Sequence, residues 1–331
     1  MLLDEFLAPK ILIVSGKGGA GKTTVAATLA LVAARQSRRV CVAEVDGKGS
    51  LGKLLGAPAL GHEPSEVLPG IWGMNIAPEK ALEEYFAVQY HVRRVSRVLT
   101  HSHFLDYITT AAPGLKDILV LGKVWYLEQG RTSGSAPQSF DTIVLDAPAS
   151  GHMRTFLAAP AGLSDAVKVG PIRRQSDWLL DMLRDPKRSR VHLVTLAEEM
   201  PVSETLETSE ELHTRLRVHA GITFANAIYP KTFSGPEQKD LAASDGKVLK
   251  RRLQSVAGDA SLKLDAEDVD ELLAYARFLE SRRAIQSRYL KVLRERSRES
   301  IVELPFQFSA GLSLPDLESL ADVVEERVGG L

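Results

Sequence analysis

The sequence predicts an α/β fold, a mostly parallel sheet flanked by helices and built around a phosphate-binding loop. Short β-branched runs recur at residues 11–14, 40–45, 71–77, 142–145, 191–195, 222–225 and 301–304, several of them apolar throughout rather than alternating. Unbroken apolarity suits a strand covered on both faces, and such strands belong to parallel sheets. Helical patterns separate most of these runs, as βαβ connections demand. A glycine-rich turn, Gly16 through Thr24, then lies between the first run and the first helix.

The helix after that turn carries Val25, Leu29 and Val32 on one face. Residues 79 to about 137 form a helical insert that ends in a Gly/Ser-rich loop at 130–139. Further helical segments fall at about 153–188 and 234–300, and no Gly or Pro occurs from Asp259 through Leu304. Leu272, Leu279 and Leu293 sit on or near one stripe there, while Arg282, Arg283, Arg294 and Arg296 read as solvated. A long helix packed on the domain is expected, with a coiled-coil arm as the alternative. The 331 residues fit either two domains of roughly 150 residues each or one large α/β unit. A single domain over 1–331 is the expectation.

Composition excludes several classes. Hydrophobic residues at 44% and charged ones at 25% are a globular balance. Lys and Arg number 41 against 42 Asp and Glu, so no electrostatic case exists for a nucleic-acid partner. The lone cysteine, Cys41, can form neither an intrachain disulfide nor a thiolate-rich zinc site, and no zinc is expected. Asp4 and Glu5 stand where a secretory leader would be basic. The longest uncharged apolar stretch, residues 23–34, is shorter than the ~18 residues a membrane span needs. A cytoplasmic protein is expected.

Gly16-Lys17-Gly18-Gly19-Ala20-Gly21-Lys22-Thr23-Thr24 has the GxxxxGK[ST] spacing between a strand and a helix. Its glycines let consecutive backbone N–H groups turn toward phosphate oxygens. Lys22 is expected to pair the β- and γ-phosphates and the Thr23 hydroxyl to ligate Mg²⁺, with the helix N-terminus adding partial positive charge. A ligand-free glycine turn is the bland alternative. Lys17 marks the deviant form of this loop, in which a second lysine reaches a partner's nucleotide across a dimer. The alternative is a solvated loop charge.

The run at 40–45 ends at Asp46 and the run at 142–145 at Asp146, and carboxyl ends of parallel strands are where such sheets bind ligands. Asp146 reads as the carboxylate that holds Mg²⁺ through water, and Asp46 as the group that orients or deprotonates the attacking water. A helix N-cap is the structural alternative for each. Ala147 through Met153 form a Pro/Gly-containing segment suited to switching with the γ-phosphate.

These residues resemble the ArsA-type ATPases, which include arsenite-pump ATPases and the ATPases that guide tail-anchored proteins to membranes. Lys17-Gly18-Gly19 resembles the family's KGGxGKTT, and Asp146 through His152 its DTAPTGHT switch. Asp46 aligns with the first residue of its DPAH switch, although Gly47-Lys48-Gly49 follows. Pro113 through Asp117 resembles its PGxDE segment, and Met200 through Thr205 its LSxxET. Asn226 resembles the asparagine that reads adenine. The resemblance implies ATP as substrate, Mg²⁺, and a dimer with itself or a paralogue that opens and closes with the nucleotide to handle a protein client. An energising subunit for an anion transporter with a membrane partner is the alternative, and a MinD/ParA-like positioning switch a weaker one. Cys41 cannot replace the several cysteines of arsenite pumps, and the dimer-stapling CxxC is absent; His101 and His103, two apart, share no helical face. The Trp178-Leu179-Met182-Leu183 stripe could line a client groove or belong to the core. Pro315 to Val328 read as a last helix with an acidic outer face, which anionic lipid repels.

Overall fold

The computed structural model describes residues 3–45, 49–90, 114–130, 139–242, 247–259 and 264–330. Asp46, His101, His103 and Pro113 lie outside the described residues, as do parts of the predicted 79–137 insert and its Gly/Ser-rich loop. The strands are β1 (Ile11–Gly16), β2 (Val40–Val45), β3 (Ser65–Leu68), β4 (Ile71–Ile76), β5 (Thr142–Ala149), β6 (Ser189–Leu196), β7 (Ala220–Ile228) and β8 (Ile301–Pro305). They form one sheet in the order β3-β4-β2-β5-β1-β6-β7-β8, parallel throughout except for the antiparallel β3–β4 pair. The expected mostly parallel sheet flanked by helices is present.

Each face of the sheet buries its own core. On one side the Lys22–Arg35 helix packs Val25 and Leu29 against β1, β2 and β5, and the Leu314–Gly329 helix brings Leu320 and Val324 into the same core beside it and β8. On the other, the Leu115–Glu128 and Ser150–Ala166 helices bring Val124 and Phe156 over β1 and β5, and the Pro171–Arg184 helix brings Leu179 and Met182 over β6. Fully burying one such side chain stabilises the fold by about 1.5–3 kcal/mol. Cys41 belongs to this second core, and burial pushes its thiol up to about 12, so it stays protonated.

Several expectations need correction. β3 has no apolar run to announce it: two of its four residues, Ser65 and Glu66, are exposed at the sheet edge. β5 and β7 run past the predicted ends at 145 and 225, so Asp146 and Asn226 stand inside strands rather than after them. The predicted 234–300 helix is three: Gly235–Ala242, Lys247–Asp259 and Ala266–Arg296. The last is 31 residues long and starts at a capping box on Asp265. Leu273, not Leu272, is buried on it, beside Val269 and Leu241, and Leu290 and Leu293 pack near Val202 and Ile228. Both halves of the helix therefore pack on the chain's own residues, which favours the packed helix over the coiled-coil arm. Its arginines are not simply solvated: Arg282 pairs with Glu198 at 2.8 Å, and Arg294 with Glu303. Of the tryptophan stripe, Leu179, Met182 and Leu183 are core, whereas Trp178 is 45% exposed.

Candidate functional site

The loop's geometry follows from where glycine is required. Gly16 ends β1 so close to β6 that a Cβ would lie 1.9 Å from the Val194 carbonyl oxygen. Gly21 has φ 94° and precedes the Lys22–Arg35 helix, and a Cβ there would lie 2.1 Å from the Asn226 amide nitrogen. Ser15 donates to the Pro148 carbonyl at 2.8 Å, tying the end of β1 to the end of β5. Gly18 and Gly19 are exposed between these anchors, and Ala20 is buried.

Around the loop the chain gathers most of the predicted residues. The Thr23 hydroxyl donates to Asp146 Oδ2 at 2.7 Å. Among the described residues, Asp146 Oδ1 is buried without a hydrogen-bond partner. Burial pushes the Asp146 carboxyl up to about 6, against the Thr23 hydrogen bond and the charge of Lys22, and Glu44 adds to the rise. Lys22 Nζ lies 3.5 Å from the Lys17 carbonyl oxygen. Its burial lowers its pKa, an effect opposed by Asp146 and Glu204. The Asn226 amide donates to the Ala20 carbonyl at 2.9 Å, so β7 touches the loop itself. Thr24 starts the helix with them, its carbonyl accepting from Thr28 at 2.9 Å. Asp46, outside the described residues, follows directly on β2.

An orphaned, buried carboxylate oxygen beside a threonine hydroxyl suits a hard, oxygen-seeking cation, and magnesium fits this donor set. Thr23 and Asp146 would hold it, Asp146 through water. A different cluster, His62, Glu63 and Glu84, also has metal-ligand spacing. There Lys123 Nζ already lies 2.7 and 2.8 Å from the two Glu84 oxygens. His62 Nδ1 accepts from the Ala77 N–H at 3.2 Å, so Nε2 carries the proton and faces Glu84 at 3.3 Å. The ammonium stands where a cation would.

Two acids stand here that the sequence did not place at the site: Glu44, and Glu204, noted only as part of the Met200–Thr205 segment. Glu44 pairs in register with Asp146 across β2 and β5, is buried, and accepts from the Leu51 N–H at 3.3 Å. Burial raises its pKa, and its Oε1 has no hydrogen-bond partner among the described residues. The available signal was a charge inside an otherwise apolar strand. Glu204, on the Glu199–Glu211 helix, meets Lys17 Nζ at 3.0 Å. In the segment after Asp146, Ser150 bonds Glu204 and His152 Nε2 lies 3.2 Å from Asp117 Oδ1 on the Leu115–Glu128 helix.

A parallel sheet with a GxxxxGK[ST] loop at the carboxyl end of its central strand defines a phosphate-binding-loop nucleoside triphosphatase. Comparison with known proteins narrows the class. The profile of the anion-transporting ATPases matches residues 9–177. ATPase BagA of Mycobacterium tuberculosis is 33% identical over 267 residues, covering 79% of this chain and 77% of that protein. The arsenical pump-driving ATPases of Acidiphilium multivorum and Escherichia coli are 27% and 25% identical, over 62% and 68% of this chain. The chain spans only 37% and 40% of the length of those two proteins. The chain belongs to the ArsA-type, anion-transporting ATPase family, whose activity is ATP hydrolysis.

Proposed function

We propose that the protein is a Mg²⁺-dependent ATPase that works as a nucleotide-driven dimer, formed with itself or a paralogue, and uses opening and closing to handle a protein client in the cytoplasm. What supports the reading most is the convergence of Lys22, Thr23 and Asp146 on one glycine-rich turn that also carries Lys17. In this reading the backbone N–H groups from Gly16 to Thr24 wrap the phosphates, and Lys22 pairs the β- and γ-phosphates. Bound magnesium supplies neutralising charge to the phosphate oxygens. Asp46 orients the attacking water, and Asn226 meets the adenine edge. Lys17 reaches the nucleotide of the second copy, as an arginine finger would. Zinc and nucleic acid have no part in the reading.

An apolar cavity of about 290 Å³ supports a client surface. It is lined by Leu82, Tyr85, Leu119, Trp125, Ile172 and Trp178. Trp125 and Trp178 stack at 5.2 Å on neighbouring helices, and Asp117 joins the Trp125 helix to His152, so the switch segment and the cavity share one element. The second reading, an energising subunit for an anion transporter with a membrane partner, is favoured by the names of the pump-driving relatives. The buried, protonated Cys41 weighs against arsenite as the anion. The positioning reading weakens further because Leu317, Leu320 and Val324 are buried in the core, so the last helix has no free apolar face for a membrane.

Phosphate release from purified protein with Mg²⁺ and ATP tests the reading. Lys22→Ala and Asp46→Asn should each abolish turnover above background. Lys17→Ala should lower kcat about 10³-fold or more, the scale of a lost arginine finger. Wild-type turnover in the Lys17 variant removes the cross-dimer role; wild-type turnover in the Asp46 variant removes its water-orienting role.

A further inference from the structure

The two lysines of the loop face different ways. Lys22 folds over the loop, while Lys17 turns to Glu204 of its own chain, Nζ to Oε2 at 3.0 Å, with the side chains 35% and 24% exposed. The other Glu204 oxygen accepts from the Ser150 hydroxyl. Ser150 is the first residue of the Ser150–Ala166 helix and follows β5, the strand that carries Asp146. Further along, Arg154 joins the same two helices through Glu211 at 2.9 Å and Glu207 at 3.6 Å. The Ser150 hydrogen bond, then Lys17, keeps Glu204 below the usual carboxylate range, so it is an anion at neutral pH. One carboxylate is thus shared between the loop's outer lysine and the start of the helix behind the switch segment.

We propose that Glu204 is the positioning residue of Lys17: it holds the ammonium against its own chain until phosphates carried by a second copy displace it. The inference rests on the dimer reading above. The strength of the contact suits an exchange. An exposed lysine–carboxylate pair shifts an equilibrium by a factor of only about 1.4 to 5. A triphosphate tail presents several charges to the same ammonium in a more desolvated setting, where attraction is stronger. A lysine is also the right cation for a partner swap, being a compact charge on a flexible stem rather than a planar fork locked to one carboxylate. When Glu204 lets go of Lys17, Ser150 retains it, so the exchange is felt at the switch helix.

Two measurements test this on the full chain. In the first, lysine acylation is followed by peptide mass spectrometry at low protein concentration. Glu204→Gln should raise labelling of Lys17, relative to the exposed Lys291, about 1.4- to 5-fold, the factor expected for releasing one exposed pair. A purely structural role for Glu204 would not single out that lysine. In the second, sedimentation reads the dimerisation midpoint with Mg²⁺ and a non-hydrolysable ATP analogue. Two latches open per dimer, so Glu204→Gln should lower the midpoint about 2- to 30-fold, and Glu204→Asp should restore most of the wild-type value. Unchanged Lys17 labelling overturns the assignment. An unchanged midpoint in a protein that does dimerise overturns it too and leaves the dimer reading intact. A wild-type chain that never dimerises overturns the dimer reading and the latch with it.

Discussion

His192 shows how burial fixes a protonation state. It is fully buried in β6, with the Phe6 ring at 5.0 Å and the Phe224 ring at 5.9 Å, and its Nδ1 accepts from the Ile222 N–H at 3.0 Å. Burial, helped by Arg190, pulls its pKa down to about 3. Because the folded value lies below the unfolded one, the unfolded chain takes the proton first. Stability from this residue is therefore complete above about pH 6.5 and is lost as pH falls toward 3. From pH 7 to pH 5 the loss is about 2 kcal/mol. Asp146 works the other way: its raised carboxyl favours the protonated fold, so its contribution falls as pH rises from about 4 to 6. The comparison that isolates His192 is therefore wild type minus His192→Gln, which keeps an acceptor for Ile222. In urea unfolding that difference should change by about 2 kcal/mol between pH 7 and pH 5; equal differences at both values would remove the protonation argument. At this scale the phosphate loop was legible, because its chemistry is local and contiguous. Glu204 was not legible as a counterion, since nothing in a linear sequence places it beside Lys17.

Among elements, the parallel strands could be read from their apolar runs, but their lengths could not. β5 and β7 stop looking like strands where they reach the phosphate-loop turn, because Asp146 and Asn226 interrupt the hydrophobic pattern that identifies a buried strand. β3 was missed for a different reason, since an exposed edge strand has no core to advertise. The long Ala266–Arg296 helix was visible from its lack of Gly and Pro, while its buried face was misjudged by one residue at Leu272. The Leu314–Gly329 helix, by contrast, carries a clear stripe. Leu317, Leu320 and Val324 are buried against the first core, and Arg35 Nη1 reaches Asp322 at 2.6 Å from the neighbouring helix. Leu320→Ala should cost about 2–5 kcal/mol, the range for emptying a buried leucine site. Urea denaturation measures it; a loss below about 1 kcal/mol would mean that the helix is not part of the cooperative core.

For the whole molecule, the sheet and its two cores explain how one chain presents the loop, while the dimer proposed above would add a second loop to each site. The proposed cross-dimer role of Lys17 has a consequence that no single variant can imitate. A Lys17→Ala chain keeps Lys22, Thr23 and Asp146 and so retains its own phosphate site, but lends no lysine to a partner. A Lys22→Ala chain loses its own phosphate clamp but still carries Lys17. Each alone should be nearly inactive. Mixed in equal amounts with Mg²⁺ and ATP, they form dimers in which one composite site is whole: nucleotide on the Lys17→Ala chain, lysine from the Lys22→Ala chain. Random pairing makes half the dimers mixed, each with one competent site of two, so turnover should rise to about a quarter of the wild-type rate. Recovery should grow with total protein concentration, because association supplies the missing group. If Lys17 acts only on the nucleotide of its own chain, neither partner can repair the other, and the mixture will show no more phosphate release than the two variants measured apart.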